Sequence, residues 1–403
     1  MAAYTYDAIN AQGFELSGEV HAPDLAAARE QLRARGLLPQ RLDEKPASGE
    51  GGLGASFKKV KPKSLQVFSR QLATMIEAGV SVVAALVTLE EQTDDKYLAV
   101  VIGEVRADVE AGMVLSAALS RHPKVFNRLF IAMVEAGESS GTLDTVLDRI
   151  ATQIEKETQI KRRVKGAMVY PAVVLSFATL VLIFMLLFIV PVFASVFDDL
   201  GGELPKPTQL VMGASNLLRN WWFVIFPLLI ATAFALRRWK RTDRGRQTWD
   251  RFKLRIPMKI GDVVQKVALA RFARTLSSLL AAGVDIIRAL EITGATSGNW
   301  VVEEALTNVR ERVHEGVPIS DPLAANDIFP PMVSQMVKIG EETGELDQML
   351  GKVADFYEDE VDSSIQSLTS IIEPVLMIGV GAMVGTIVIS MYLPMFKLLT
   401  LIK

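Results

Sequence analysis

The sequence predicts a mainly α membrane protein with two repeated cytoplasmic helical bundles, three transmembrane helices and a small N-terminal α+β unit. Half of the 403 residues are hydrophobic, and three long stretches carry no charge, which is typical of a chain that partly lies in lipid. The segments between these stretches show the apolar period of α-helices. The chain also repeats itself once, through both kinds of segment.

The N-terminal unit is predicted over residues 1–45. A helix is expected over residues 25–34, because Asp24 is a suitable N-cap and Gly36 can end the helix in a left-handed conformation. Residues 46–63 contain four glycines and no apolar period, and are predicted to form a flexible linker. Alternating strands are expected on either side of the helix, at residues 4–8, 15–20 and 37–42.

The rest of the chain is predicted to alternate between helical domains and transmembrane helices. An α-helix needs roughly 20 apolar residues to cross the hydrocarbon core, and each uncharged stretch approaches or exceeds that length. A first helical domain is predicted over residues 64–165 and a second over residues 237–370, with a repeated core at 268–365. The transmembrane helices are predicted at residues 166–197, 220–236 and 371–397, with an external loop at 198–219.

Basic residues on either side of the first two spans predict the orientation of the chain. Lys and Arg resist translocation, so clusters of them mark the cytoplasmic ends of transmembrane helices. A cytoplasmic N-terminus and an external C-terminus follow, with the second span returning the chain so that both helical domains face the cytoplasm. The cytoplasmic clusters are Lys161, Arg162, Arg163 and Lys165 before the first span, and Arg237, Arg238, Lys240 and Arg241 after the second.

The internal repeat is read directly from the sequence. Residues 68–86 match residues 272–290 without a gap, and Phe, Arg, Leu, Ala-Gly-Val and Ala-Leu recur in register. The register continues into the predicted spans, so helical domain and membrane helix are expected to have been duplicated as one unit. The corresponding prolines are Pro171 and Pro374, and Pro191 and Pro394.

A Gly-Glu-x-x-Gly-x-Leu-Asp motif occurs once in each copy, between two helical stretches. It predicts the corner of a helical hairpin, because glycine accepts the positive φ at which one helix ends and the next begins. Contact between the glutamates and a partner protein is the alternative interpretation. The motif residues are Gly137, Glu138, Gly141 and Asp144 in the first copy, and Gly340, Glu341, Gly344 and Asp347 in the second.

No catalytic, cofactor-binding or metal site is predicted. The chain has no cysteine, its three histidines form no ligand cluster, and it has no phosphate-binding loop with lysine. The acidic segment at residues 358–362 is expected to be a solvated helix face, with cation binding as the alternative. A net charge of −3 gives no reason to expect binding to nucleic acid.

Three residues of the third predicted span have ambiguous roles. Glu373 is expected at headgroup depth, where a long acidic side chain can reach water, rather than in a proton pathway. Gly381 and Gly385 form a small-x-x-x-small pattern that permits close approach of another helix, so self-association is an open alternative to ordinary glycine usage.

The recurring phenylalanine helices, the two corner motifs and the proline-bracketed spans together resemble the type II secretion system protein F and type IV pilus platform family. The resemblance covers about residues 64–397, and the closing residues 391–399 are more similar to the pilus branch. It implies a bacterial inner-membrane platform without enzymatic activity of its own. The implied partners are a hexameric assembly or retraction ATPase, pilins or pseudopilins, other inner-membrane alignment proteins and further copies of the chain.

Two functions of other classes are compatible with parts of this pattern. A solute transporter would need more spans and more polar groups at the membrane midplane than this sequence provides. A membrane-anchored signalling adaptor fits three spans, but the predicted external loop is short for a ligand-binding domain. Pilus assembly, with the secretion branch as its alternative, is therefore the predicted function.

Overall fold

The computed structural model describes residues 2–9, 15–22, 29, 38–44, 60–199, 206–257 and 259–401. The chain divides into two compact units, residues 1–59 and residues 60–403. Residues 46–59 of the predicted linker, which was expected over residues 46–63, lie outside the described part of the chain.

The described part of the first unit is an antiparallel sheet with the strand order β2-β1-β3. The central strand is β1, which pairs with both of the others. The helix predicted over residues 25–34 lies outside the described residues, apart from Arg29, which is helical. The strands are β1 (Ala2–Ile9), β2 (Glu15–Ala22) and β3 (Leu38–Glu44).

The described part of the second unit is helical throughout, and its helices fall into two equivalent series. The first series is α1 (Pro62–Glu77), α2 (Val82–Gln92), α3 (Lys96–Glu110), α4 (Leu115–Ser120), α5 (Arg128–Ser140) and α6 (Leu143–Phe184), which continues as a π-helical turn (Met185–Ile189) and α7 (Val190–Asp199). Two connecting helices follow, α8 (Lys206–Trp239) and α9 (Asp243–Arg255). The second series is α10 (Ile260–Ala281), α11 (Ile286–Thr296), α12 (Trp300–His314), α13 (Ser320–Ala324), α14 (Pro331–Thr343) and α15 (Leu346–Leu401).

Equivalent helices begin in the same way in the two series. Ser81 caps α2 and Asp285 caps α11, each by accepting a hydrogen bond from a backbone N–H of the first turn. Asp95 and Asn299 do the same for α3 and α12. A short polar side chain at this position satisfies donors that have no partner within the helix, so the sequence sets these boundaries locally.

The two series also have equivalent aromatic contacts in their cores. Phe68 and Phe126 lie with ring centroids 5.9 Å apart, and the corresponding Phe272 and Phe329 lie 5.1 Å apart. All four side chains are at least 96% buried. One continuous cluster of buried apolar side chains includes both pairs, so the two bundles share a hydrophobic core.

Three helical segments of the described chain are long and apolar enough to cross a membrane: Leu143–Phe193, Thr208–Trp239 and Leu346–Ser390. Their large apolar side chains are widely exposed, as lipid-facing side chains are, with Phe177 69% and Ile378 72% accessible. The first and third run without interruption from the helical bundles into the apolar stretch. Hydropathy marks only the part of a helix that can contact lipid. The first and third of these helices begin much earlier in the chain, at Leu143 and Leu346.

Much of the segment predicted as an external loop, residues 198–219, is helical. α7 extends to Asp199 and α8 begins at Lys206, with residues 200–205 outside the described part. The prediction placed the end of the loop at a charged residue, Arg219, but helix formation does not stop at a charge. Residues 206–219 are therefore an extension of the second membrane helix.

The π-helical turn in the first membrane helix lies directly before Pro191. Val190 N donates to Met185 O, the i→i+5 pattern of a π-helix. The next carbonyl, that of Leu186, would need an N–H from residue 191, which proline lacks. The Ser215 hydroxyl of α8 donates to this carbonyl instead. This hydrogen bond joins the first and second membrane helices. It also satisfies a carbonyl that would be costly to leave unpaired in lipid.

Candidate functional site

The two corner motifs form tight helical hairpins. In the first, α5 ends and Gly141 takes a left-handed conformation with φ of 73° before α6 begins. In the second, Gly344 has φ of 74° between α14 and α15. A side chain would be strained at either position, which explains glycine there. Asp144 and Asp347 lie in the first turns of α6 and α15, where a negative charge is favourable.

The first glycine of each motif lies where the two helices of the hairpin come closest. A Cβ atom at Gly137 would lie 3.1 Å from the Val146 Cβ, and one at Gly340 would lie 2.8 Å from the Leu346 Cα. Both glycines are buried. The hairpins are therefore closed by backbone contact, and a larger residue would separate their helices.

The motif glutamates bind backbone N–H groups of the preceding short helices. The Glu138 carboxylate accepts hydrogen bonds from Leu115 N at 2.5 Å and Ser116 N at 3.1 Å, at the start of α4. The Glu341 carboxylate accepts from Ile319 N, and from Ser320 N at 3.0 Å, at the start of α13. Each glutamate caps a helix N-terminus from a distance, and its charge complements the helix dipole.

A second charged pair recurs in both copies. Arg70 of α1 donates to Glu155 of α6 at 2.7 Å, and in the second copy Arg274 donates to Glu358 at 2.9 Å. The hydrogen bond from Arg70 holds the pKa of Glu155 below its ordinary value. Sequence reasoning missed this pair. The sequence signal that could have revealed the pair is that both copies have an arginine at the same place in the repeat and a glutamate about 85 residues later.

The acidic segment at residues 358–362 faces basic side chains of neighbouring helices. Glu358 also accepts from Lys156 of the first copy at 2.9 Å, and Lys266 donates to Glu360 at 2.8 Å. Asp362 is paired with Arg163 of the first copy. Within the described residues, no group of three or more metal-ligating side chains is close enough to hold an ion. The segment is a link between the two copies.

The basic flanks of the membrane helices have different surroundings. Lys161 pairs with Glu157 at 2.8 Å and Arg162 donates to Gln66 at 2.8 Å, so both are held within the bundle. The Nζ of Lys240 lies 3.4 Å from the centroid of the Trp249 ring.

Of the five other predicted bases, only Arg163 forms an ion pair within the described residues, with Asp362 of α15. Arg237 and Arg238 occupy the last turn of α8, where they complement the helix dipole. These two, Lys165 and Arg241 are exposed and form no ion pair among the described residues.

The predicted membrane positions lie on the first and third membrane helices. Pro171 is inside α6 and buried, whereas Glu373 and Pro374 are exposed on α15. Gly381 is exposed and Gly385 is half-buried, and a Cβ at either would meet no atom of the described residues within 4 Å. The helix α15 runs through Pro394, whose side-chain surroundings lie outside the described part.

Fold and site together define a membrane protein with a duplicated helical bundle, each copy of which continues into a membrane helix. Sequence models of the family "Type II secretion system (T2SS), protein F" match residues 68–191 and 272–394, and its N-terminal domain matches residues 1–43. The chain belongs to this family. The two matches confirm the repeat, and the resemblance predicted from the sequence is confirmed with them.

Individual relatives extend over almost the entire chain. The "Type IV pilus assembly protein PilC" of Thermus thermophilus is 45% identical over 99% of this chain and 98% of its own length. The protein of the same name from Myxococcus xanthus is 41% identical over 98% of this chain and 95% of its own length. The "Type II secretion system protein F" of Pseudomonas aeruginosa is 32% identical over 99% of both chains.

Proposed function

We propose that this chain is the inner-membrane platform of a type IV pilus, which couples a cytoplasmic hexameric ATPase to the insertion or removal of pilin subunits. The observation that carries the proposal is the continuity of α6 and α15, each of which is one helix from the bundle into the membrane. A displacement of the bundle would move the membrane segment as a rigid rod. The higher identity to pilus assembly proteins than to the secretion protein supports the pilus branch.

A deletion strain tests this function. Loss of the protein is expected to abolish surface pili, and expression of the full chain is expected to restore them. Full-length similarity to a type II secretion protein favours secretion as the second candidate. If pili remain and secretion of folded proteins is lost, the platform belongs to a secretion system. If neither is affected, the proposal is wrong, and a signalling adaptor becomes the better hypothesis.

The partners we propose are the hexameric ATPase, pilins, other inner-membrane alignment proteins and further copies of the chain. Gly381 and Gly385 support association of α15 with another helix, because no atom of the described residues fills the space beside them. Affinity purification of the tagged chain from membranes is expected to recover the ATPase and pilins. Recovery of neither would contradict the proposal.

Coupling through Glu138, Glu341 and the basic flanks Arg162, Arg163, Arg237 and Arg238 is a separate hypothesis. Since both glutamates cap helices, charge reversal would disturb folding as well as any docking. Glutamine at both positions keeps an acceptor oxygen and removes the charge. The double variant Glu138→Gln with Glu341→Gln is therefore expected to fold but to recover less ATPase in the affinity purification.

The matched control removes two exposed charges beside the second corner, with Glu342→Gln and Glu345→Gln. It is expected to recover the ATPase as the wild-type chain does. Equal recovery by the glutamine variant of Glu138 and Glu341 would exclude these two charges from docking.

We infer that the chain lies in the bacterial inner membrane with its N-terminus in the cytoplasm and its C-terminus outside. The excess of Lys and Arg beside the first two spans supports this orientation. It places the bundles at 64–165 and 237–370 on the side of the motor. We also propose that residues 1–45 form an α+β domain, which the three strands and the match to residues 1–43 support.

A further inference from the structure

A basic groove with apolar walls lies between the two copies at the cytoplasmic end of the first membrane helix. Its volume is 470 Å³, and its lining contains four basic side chains and no acidic one. The apolar walls come from valines of α6 and α10, including Val164, Val264 and Val267. The basic lining residues are Lys161 and Lys165 of α6, Lys253 of α9 and Arg271 of α10.

The charges of this groove are only partly neutralised. Lys161 pairs with Glu157 at 2.8 Å, and Arg271 lies 3.9 Å from the same carboxylate. Lys253 pairs with Asp250 at 2.8 Å. Two carboxylates therefore pair with three of the four bases, which leaves an excess of two positive charges, and only Lys165 has no ion pair among the described residues.

The guanidinium of Arg271 has an unusual position at the floor of the groove. Its Nε is buried and has no hydrogen-bond partner within the described chain. A Cβ at Gly298 would lie 2.6 Å from its Nη1, so the glycine turn between α11 and α12 makes room for this side chain. The side chain as a whole is 23% exposed and its ion pair with Glu157 is long at 3.9 Å, so a ligand in the groove can reach the outer nitrogens of this guanidinium.

The other copy contains the same notch with different chemistry. Val67 occupies the position of Arg271, and Asp94 and Asp95 occupy the positions of Gly298 and Asn299. Asp95 accepts a hydrogen bond from Lys61 N at 3.1 Å and caps α3. The duplicated fold thus produces the notch in both copies. Bases line both notches, with Lys61 and Lys63 in the first, but among the described residues only the first notch also contains carboxylates.

The groove is expected at the depth of the lipid headgroups, because it lies where α6 enters its uncharged stretch. Lys165 is next to Gly166, the first residue of the uncharged stretch of α6. The neighbouring α9 carries an exposed Phe252, and Lys240 packs over the Trp249 ring. Aromatic and basic side chains together are typical of the membrane interface. A ligand in the groove can therefore place a polar headgroup against the bases and apolar chains against the valines.

We propose that this groove binds one anionic phospholipid, with the phosphate at Arg271 and Lys165 and the acyl chains along α6 and α10. Such a lipid supplies acceptors for the exposed part of the Arg271 guanidinium and the negative charge that Lys165 lacks. Basic pockets between membrane helices on the cytoplasmic side are known to bind anionic headgroups. The bound lipid would join the two copies where they enter the membrane. This inference rests on the three apolar helices being membrane spans and not on a role in pilus assembly.

Native mass spectrometry of the full chain, purified in detergent, tests this proposal. The chain is titrated with phosphatidylglycerol or with phosphatidylcholine of the same acyl chains. We expect one retained phosphatidylglycerol and no retained phosphatidylcholine. Lys165→Gln is expected to weaken binding about fivefold, and Lys165→Gln with Arg271→Gln about thirtyfold, as each base near a headgroup contributes modestly.

The control is Arg237→Gln, which removes an exposed base of the other basic cluster, outside the groove, and is expected to leave binding unchanged. Because Arg271→Gln removes a partly buried side chain, circular dichroism must show that the double variant is folded. The exposed Lys165→Gln keeps the test valid if it is not.

Three results would overturn the proposal. Equal loss of binding in Arg237→Gln would mean unspecific attraction of anionic lipid. Equal retention of both lipids would mean that the bases do not select the ligand. Displacement of phosphatidylglycerol by soluble glycerol 3-phosphate at equal concentration would identify a free phosphate compound as the ligand.

Discussion

At the scale of single residues, the corner motifs are explained by backbone geometry. Gly344 has a positive φ, and Gly340 is in close contact with the backbone of α15. A glycine at this turn can be expected from the sequence, because positive φ is a local property. It did not predict that Glu341 caps α13, because that contact joins residues 21 and 22 positions apart. Contacts over such distances depend on tertiary packing.

Three alanine substitutions in the second copy separate these effects. Gly344→Ala is expected to lower the free energy of unfolding by about 1–2 kcal/mol, since an L-residue is strained at positive φ. Gly340→Ala is expected to lower it more, because the new Cβ would lie 2.8 Å from a backbone atom.

The control, Gly351→Ala, lies inside α15 with only an ordinary contact of 3.5 Å to the Ser277 hydroxyl, and should raise stability by up to about 1 kcal/mol. Denaturant unfolding in detergent measures all three. Equal effects at Gly344 and Gly351 would contradict the left-handed corner.

The Arg70–Glu155 pair gives a prediction for pH. The pKa of Glu155 is lower in the folded chain than in the unfolded one, so the pair stabilises the fold above the ordinary pKa of a glutamate. This stabilisation is lost as the pH falls through the lowered value. Both side chains are about one-third exposed, so Arg70→Gln is expected to cost about 0.5–1 kcal/mol at pH 7.

The difference between Arg70→Gln and wild type should shrink as the pH is lowered into the range where Glu155 is protonated. Arg149→Gln, which removes an exposed base without an ion pair among the described residues, is the control. A difference from wild type that does not depend on pH would contradict the assigned role of the pair.

At the scale of elements, apolar stretches predicted the membrane helices well, but not where they begin. Residues 166–197 are the apolar part of a helix that starts at Leu143, and residues 220–236 belong to a helix that starts at Lys206. Hydropathy indicates whether a helical segment lies in lipid or in water, whereas the ends of the helix depend on capping residues and tertiary contacts. The repeat indicated that each bundle continues into a membrane helix, but the residue at which that helix begins was not visible in the sequence.

A flexible break in α6 tests the importance of this continuity. Two glycines inserted after Gly166 should cost about 1 kcal/mol each in helix stability, so the chain is expected to insert and accumulate normally. Surface pili should nevertheless be lost, because the bundle no longer moves the membrane helix.

The same insertion after Gly201, between the first two membrane helices, is the control and should leave pili intact. Normal piliation of the Gly166 insertion would exclude transmission through α6. Protein levels in the membrane and pilus counts are measured for both insertions.

At the scale of the whole molecule, the two copies form one unit rather than two separate domains. The sequence predicted bundles at 64–165 and 237–370, and the structure joins them through a shared apolar core and pairs such as Lys156–Glu358. Periodicity shows that a helix has an apolar face, but not which helix covers it. Both copies can share a core only if they lie on the same side of the membrane.

The most direct test of this account is the sidedness of equivalent positions in the two copies. The natural chain has no cysteine, so single cysteines report unambiguously. Ser139 and Glu342 are exposed and equivalent, one in each copy, and Glu203 lies between the first two spans. In intact cells with a permeabilised outer membrane, a membrane-impermeant maleimide should label Glu203→Cys but neither Ser139→Cys nor Glu342→Cys. Labelling of only one of the two equivalent positions would place the copies on opposite sides and contradict the account.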